Sequence, residues 1–198
     1  MNTAVIKDGL PVILFETQEL WSNWLEKNES ESGIWVQIAK KGSGINSINY
    51  QETLEVALCY GWIDGVKNTF DDKSWIQRFT ARKPNSKWSK INRNKAEELI
   101  AAGKMKPSGM AAIELAKQKG IWDAAYDSQK NASIPDDLQN ELDKNPEAAE
   151  FFSSLNSVNK YAIIYRLQVS RNSEIRTKKL AQFIEMLIRK EKIHNLNS

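Results

Sequence analysis

The chain has 198 residues, of which 41% are hydrophobic and 27% are charged, and its formal net charge is +3. This length and composition fit one folded domain, or one domain with a helical extension, and they exclude a disordered chain. The only cysteine is Cys59, which excludes an internal disulfide and a cysteine metal cluster.

The amino-terminal segment and the hydropathy of the chain predict a cytoplasmic protein. The one early apolar run, residues 10–15, is interrupted by Pro11 and is too short for a secretory signal. No run approaches the roughly 18 apolar residues that a membrane-spanning helix needs. We therefore expect no membrane insertion, and a reducing compartment agrees with the lone cysteine.

The charges are arranged in blocks along the chain. Residues 73–96 contain eight Lys or Arg and no acid, whereas residues 123–150 contain eight acids and two Lys. Residues 171–192 are basic again, with seven cations and three acids. Two interpretations remain open: the blocks pair with one another inside the fold, or the basic block forms an anion-binding surface.

The first part of the chain predicts a small sheet covered by helices. Residues 10–15 favour an edge strand, and Thr17 is a plausible N-cap for a helix that carries two Trp on its apolar face. Ile34, Val36 and Ile38 alternate, which predicts the clearest strand. Asn49 and Glu52 then form a capping-box pattern that begins a second helix.

A hairpin follows the second helix, which Gly61 ends. It covers residues 66–80, with its turn in residues 68–73 and with Trp75, Gln77 and Phe79 alternating on its second arm. The expected sheet is mainly antiparallel and has three or four strands. The intervening Lys40-Lys-Gly-Ser-Gly44 run has its lysines before its glycines, so a solvated turn is favoured over a phosphate loop.

Helical patterns fill the rest of the chain. Ser89 and Pro107 begin two predicted helices, which end near Gly103 and Gly120. Beyond a polar linker at residues 130–133 we predict helices in residues 135–144, 146–155, 157–169 and 173–192. Val158, Tyr161 and Tyr165 are assigned to the apolar face of the third of these. The fold class is therefore α+β, with a domain in residues 1–130 and a helical subdomain in residues 131–198.

Few residues suggest catalysis. The only histidine, His194, lies in a polar tail, which argues against a Ser-His-Asp mechanism, a Cys-His mechanism and a histidine metal site. Cys59 precedes a helix-ending glycine and is interpreted as a buried structural residue. For Asp64, a structural salt bridge or turn is favoured over acid-base chemistry. We therefore predict no metal and no cofactor and assign no catalytic residues, while a histidine-independent enzyme would use Asp64 or Lys40 for proton transfer.

The basic segment of residues 78–93 is the most suggestive of binding. Arg78 and Arg82 are suited to phosphate or carboxylate, and Trp88 offers a face to a base or sugar ring. The alternative is that the two arginines pair with Asp64, Asp71 or Asp72 and bind no ligand.

Several motifs together resemble the YdeI/OmpD-associated family of bacterial proteins, also called bacteriocin-protection proteins. The motifs are Gly33-Ile-Trp-Val with Lys40-Lys41, ALCYGWIDG at residues 57–65, Arg78-Phe-Thr-Ala-Arg82, Ser86-Lys-Trp-Ser89 with Asn92, and Gly103-Lys-Met105 with Gly109. The resemblance extends from about Trp21 to Lys192, with a less close fit at the carboxyl-terminal signature. It implies a link to outer-membrane porin or to bacteriocin tolerance, and it brings no catalytic residues.

The sequence thus favours a non-catalytic binding or stress-protection protein with a basic anion site, acting as a monomer or homodimer. The expected partner is a small anion or a polyanion. A nucleic-acid-binding protein that uses residues 73–95 is the alternative, and a histidine-independent enzyme on a small anion is a further one. The candidate ligand-binding residues are Trp35, Lys40, Trp62, Asp64, Arg78, Arg82, Ser86, Trp88, Ser89 and Asn92.

Overall fold

A computed structural model describes residues 5–195 of the chain. These residues form five strands and eight helices. The strands are β1 (Ile6–Lys7), β2 (Leu10–Leu14), β3 (Ile34–Ala39), β4 (Trp62–Thr69) and β5 (Ser74–Ala81). The helices are α1 (Gln18–Lys27), α2 (Tyr50–Cys59), α3 (Lys90–Ala101), α4 (Pro107–Gln118), α5 (Asp136–Lys144), α6 (Pro146–Ser154), α7 (Ser157–Gln168) and α8 (Ser173–Ile188).

The chain divides into two compact units. The first unit contains the chain up to Ser86 together with Asn92–Asp123. The second unit contains Lys87–Ile91 and the chain from Ala124. All strands described here are in the first unit, and α5 to α8 are in the second. The α+β class is confirmed, whereas the division predicted at residue 130 stays a prediction.

The sheet is mixed and has the strand order β1-β2-β3-β5-β4. The pairs β1-β2, β3-β5 and β4-β5 are antiparallel, whereas β2 and β3 are parallel, so the sheet is mainly antiparallel, as predicted. The expected number of three or four strands was wrong, because the sheet has five, and the parallel β2-β3 pair was not predicted. The reason is that α1 connects β2 to β3 and returns the chain to the same end of the sheet, as a parallel pair requires. Residues 10–15 were expected to form an edge strand, but β1 pairs with the start of β2. The edge of the sheet is therefore β1 at that point.

Helices α1 and α2 cover one face of the sheet. Ile34, Val36 and Ile38 of β3 are paired with alternate residues of β5, and all three are buried. The Trp21 ring of α1 lies 5.8 Å from the Phe79 ring of β5. Trp21 is also stacked on Trp24, at 5.5 Å, so both tryptophans of α1 pack inward, as their spacing predicts.

Local sequence signals set the helix boundaries of the first unit. The Thr17 hydroxyl accepts the Leu20 N–H at the start of α1. The predicted capping box is present at α2, where Asn49 accepts the Glu52 N–H and Glu52 accepts the Asn49 N–H. Gly61 has a φ of 74°, the left-handed conformation that the predicted helix end requires.

The second unit has its own core, formed by α5 to α8. Ile163, Ile164 and Leu167 are the buried apolar residues of α7 in this core. The predicted apolar face was wrong for Val158, which is 40% exposed. Tyr165 packs instead against Tyr126, which precedes the helices, and Tyr161 packs against Tyr165. Because α7 is covered on more than one side, a single stripe did not describe it.

No helix within residues 5–195 is long and apolar enough to cross a membrane.

Cys59 is buried, as predicted, and burial raises the pKa of its thiol.

Candidate functional site

The predicted site residues of the first unit lie at both ends and on both faces of the sheet. Lys40 follows β3 at one end of the sheet. Trp62 begins β4 at the opposite end, and Arg82 also lies there, because its N–H donates to Gly61 O (2.9 Å). The eight residues of β5 separate these two ends and span roughly 26 Å at about 3.3 Å per residue, so Lys40 lies far from Arg82. Trp35 is paired with Arg78, and their face is opposite to that of Asp64, which is paired with Phe79.

Three of the predicted ligand contacts are tryptophans with buried rings. Trp35, Trp62 and Trp88 are each 2% exposed. The Trp35 indole donates to Lys7 O (3.2 Å), and Trp62 makes edge contacts with Trp21 and Trp24. These three rings are therefore part of the packed interior, and their roles as ligand contacts stay predictions.

Asp64 is bound by a tyrosine of α2. The Tyr50 hydroxyl donates to Asp64 Oδ2 over 2.8 Å. Burial, followed by this hydrogen bond to a carboxylate, raises the pKa of the Tyr50 phenol, so Tyr50 keeps its proton and acts as a donor. The pair joins the start of α2 to β4.

The remaining predicted residues divide between the two units. Arg78 is half-buried, and among the described residues its Nε has no hydrogen-bond partner. The Ser86 hydroxyl accepts the Lys83 N–H, which closes the loop after β5. Trp88 and Ser89 belong to the second unit, where the Tyr126 N–H donates to Trp88 O (3.0 Å), whereas Asn92 of α3 belongs to the first.

A concave basic surface lies at the end of the sheet that Lys40 occupies. It has a volume of about 600 Å³. We call it the hairpin pocket, and its lining residues are Ala39, Lys40, Lys41, Lys67, Asn68, Thr69 and Trp75. Of the predicted site residues, Lys40 alone is among these, and Trp75 lies in the segment 73–95 that the nucleic-acid alternative uses.

The turn between β4 and β5 fixes one wall of the hairpin pocket. Asp71 Oδ1 accepts the Ser74 hydroxyl (2.8 Å) and the backbone N–H groups of Lys73 and Ser74. These bonds, first among them that of the Ser74 hydroxyl, lower the pKa of the Asp71 carboxyl. Lys40 Nζ donates to the backbone carbonyls of Asp71 and Asp72 (3.0 and 3.2 Å). The lysine is thereby tied to backbone oxygens of the turn, and its charge is also one of the causes that lower the pKa of the Asp71 carboxyl.

A bulge in β4 brings Lys67 to the pocket. The pairing with β5 shifts between Asp64 and Lys67, so that Lys67 and Thr69 face the same side as Trp75. Lys67 Nζ lies 4.1 Å from the centroid of the Trp75 ring, a cation-π contact. The Tyr50 ring is 6.0 Å from Trp75 and supports it. Without the extra residue of the bulge, Lys67 would point to the other face.

Sequence reasoning missed Lys41, Lys67, Asn68 and Thr69 as site residues. A glycine inside a strand often marks a bulge, and Gly65 was the signal that could have revealed this one. Its effect on Lys67 still depends on the pairing register, which the sequence did not provide.

Among residues 5–195 no group of three or more His, Cys, Asp or Glu could hold a metal ion.

Family models match two parts of the chain. Residues 13–112 match a domain of unknown function, DUF8412, and residues 131–190 match the family described as bacteriocin-protection, YdeI or OmpD-associated. No curated protein and no solved structure matches the chain. The predicted resemblance is thus confirmed in the carboxyl-terminal helices, while the motifs at Gly33, residues 57–65 and Gly109 lie in the DUF8412 segment. The chain belongs to the DUF8412 family, whose model matches half of its length, and its residues 131–190 are similar to the family described as bacteriocin-protection, YdeI or OmpD-associated.

Proposed function

We propose that the protein is a non-catalytic binding protein that holds a small, multiply charged anion in the hairpin pocket. One observation carries this proposal: Lys40, Lys41 and Lys67 line the same concave surface, and no acidic side chain is among its described lining residues. Three ammonium groups around one cavity favour an anion with two or three negative charges, such as a phosphate or diphosphate group.

The neutral lining residues agree with this ligand class. Asn68 and Thr69 can donate hydrogen bonds to anion oxygens, and Trp75 forms an apolar wall whose ring is already in contact with Lys67. A phosphate group without a large aromatic part fits this arrangement better than a stacked base does. The description of the carboxyl-terminal family suggests that anion binding serves protection against bacteriocins or envelope stress.

The test is a calorimetric titration with inorganic pyrophosphate at low salt. We expect Lys41→Ala/Lys67→Ala to weaken binding by about tenfold or more, because two charge-assisted contacts are lost while the bonds of Lys40 to the turn remain. Lys67→Arg should retain most of the affinity. The matched control is Lys27→Ala/Lys104→Ala, which removes two exposed lysines of the same unit outside the pocket and should change the affinity less than about twofold.

Absence of pyrophosphate binding in the unmodified protein would overturn the proposal. Equal weakening by the pocket variant and by Lys27→Ala/Lys104→Ala would also overturn it, since binding would then follow net charge alone.

Nucleic-acid binding remains the second candidate, because residues 73–96 contain eight cations and no acid. It is distinguished by titrating a single-stranded oligonucleotide into the unmodified protein and into Arg82→Glu/Lys87→Glu. Salt-dependent binding that disappears in this folded variant, but persists in Lys41→Ala/Lys67→Ala, would favour nucleic acid over the small anion.

A further inference from the structure

The second unit contains a pocket that is unrelated in chemistry to the hairpin pocket. It has a volume of about 330 Å³, near the lower end of the range of about 300–1,000 Å³ for small-molecule sites. The end of α6, the first turns of α7 and the segment before α5 form its walls. We call it the helical pocket, and its lining residues are Gln129, Ala132, Ile134, Phe152, Ser153, Ser157, Lys160, Tyr161 and Ile164.

The floor of the helical pocket is apolar. Phe152 and Ile164 are 3% and 5% exposed and belong to the core of the second unit, against which Ala132 packs. Ile134 is 39% exposed, so an apolar side chain remains accessible beside this floor. A ligand that covers Ile134 and the floor would remove apolar surface from water, which favours an aliphatic or aromatic body.

The rim is polar and carries one positive charge. Lys160 Nζ donates to Ser153 O (2.8 Å), which positions the ammonium group and uses one of its three N–H donors. The Tyr161 hydroxyl donates to Asp127 O (2.8 Å), so its oxygen is oriented as an acceptor. No Asp or Glu is among the described lining residues, and Ser157 begins α7, whose positive dipole end adds to the charge of Lys160.

From this arrangement we infer that the helical pocket binds a small amphipathic carboxylate. Its apolar body lies on Phe152 and Ile164, and its carboxylate accepts a hydrogen bond from Lys160. A neutral molecule with the same body gains the apolar contact but not the charge-assisted hydrogen bond, so the site discriminates by head group. This inference does not rest on the proposed anion function, because the residues and the ligand class differ.

The experiment compares octanoate with octan-1-ol, using ¹H–¹⁵N chemical-shift perturbation in the whole chain. We expect octanoate to bind about tenfold more tightly than the alcohol, with shifts concentrated at residues 129–134 and 157–161. Lys160→Met keeps the apolar stem and removes the charge, and it should abolish the preference for the carboxylate while the alcohol still binds. Lys160→Arg should preserve that preference.

Lys144→Met is the matched control, because Lys144 is an exposed lysine of the same unit that pairs with Glu141 outside the pocket. It should leave the preference unchanged. Lack of octanoate binding, shifts confined to other residues, or a preference that survives Lys160→Met would each overturn the inference. Pyrophosphate binding is measured on the same sample, so failure of one proposal is distinguishable from failure of the other.

Discussion

Individual residues explain why the motif at residues 57–65 and Gly109 occur together. A Cβ atom at Gly109 would overlap the backbone carbonyl of Cys59, and one at Gly61 would lie 3.0 Å from Ser108 O. That Cys59 carbonyl accepts the Lys106 N–H (3.0 Å) just before α4 begins. The glycines therefore allow the end of α2 and the start of α4 to approach closely, so this part of the motif has a structural function.

We predict that Gly109→Ala destabilises the protein by about 1–3 kcal/mol, because the added methyl group forces α4 away from Cys59. Urea denaturation monitored by tryptophan fluorescence measures the change. Met110→Ala changes an exposed neighbour in the same helix and should remain within about 0.5 kcal/mol of the unmodified protein. If Gly109→Ala has the same free energy of unfolding as the unmodified protein, α2 and α4 can move apart without a loss of stability.

At the level of elements, one ion pair connects α5 and α8. Arg176 donates through Nε and Nη2 to the two carboxylate oxygens of Asp137, each over 2.7 Å, and through Nη1 to Leu167 O. This geometry is bidentate, and it also satisfies a carbonyl near the end of α7. The side-chain hydrogen bond from Arg176 is the main cause that lowers the pKa of the Asp137 carboxyl.

We expect Asp137→Asn to reduce stability at pH 7 and to have a smaller effect as the pH falls. A carboxyl whose pKa is lowered in the folded state stabilises the fold above its unfolded pKa of about 3.9, and this contribution is lost as the pH falls through the folded value. Because both side chains are partly exposed, the loss at pH 7 should be modest, about 1 kcal/mol. Denaturation at pH 7 and pH 3 provides the comparison.

Asp143→Asn is the control, since Asp143 is an exposed carboxylate of the same helix. If Asp137→Asn lowers the free energy of unfolding by the same amount at pH 7 and pH 3, the ionised Asp137 carboxyl does not stabilise the fold through Arg176.

At the scale of the whole molecule, the second unit holds the chain after α8 through a buried asparagine. Asn159 is 1% exposed, accepts the His194 N–H (2.9 Å) and donates to His194 O (3.2 Å). The histidine that the sequence placed in a polar tail is thus fixed through its backbone. Asn156 caps the same helix by accepting the Asn159 N–H, so one turn of α7 combines a cap and a tail contact.

Asn159→Ala should release this segment and destabilise the unit by about 1–2 kcal/mol through the lost buried hydrogen bonds. Limited trypsin digestion should then cut faster after Lys190 and Lys192, which mass spectrometry of the products detects. Asn195→Ala, an exposed substitution next to His194, should leave the cutting rate unchanged. If both variants are cut at the rate of the parent, Asn159 does not determine the order of this segment.

The sequence by itself determined the α+β class, the limits of most helices, and the caps at Thr17 and Asn49. These depend on the preferences of residues within a few positions of one another. The tertiary structure decided the parallel β2-β3 pair, the placement of Lys40 far from Arg82, and the bulge that turns Lys67 toward Trp75. Those features depend on strand register and crossover direction, since a shift of one residue exchanges the two faces of a strand, and no local pattern records which partner a strand will meet.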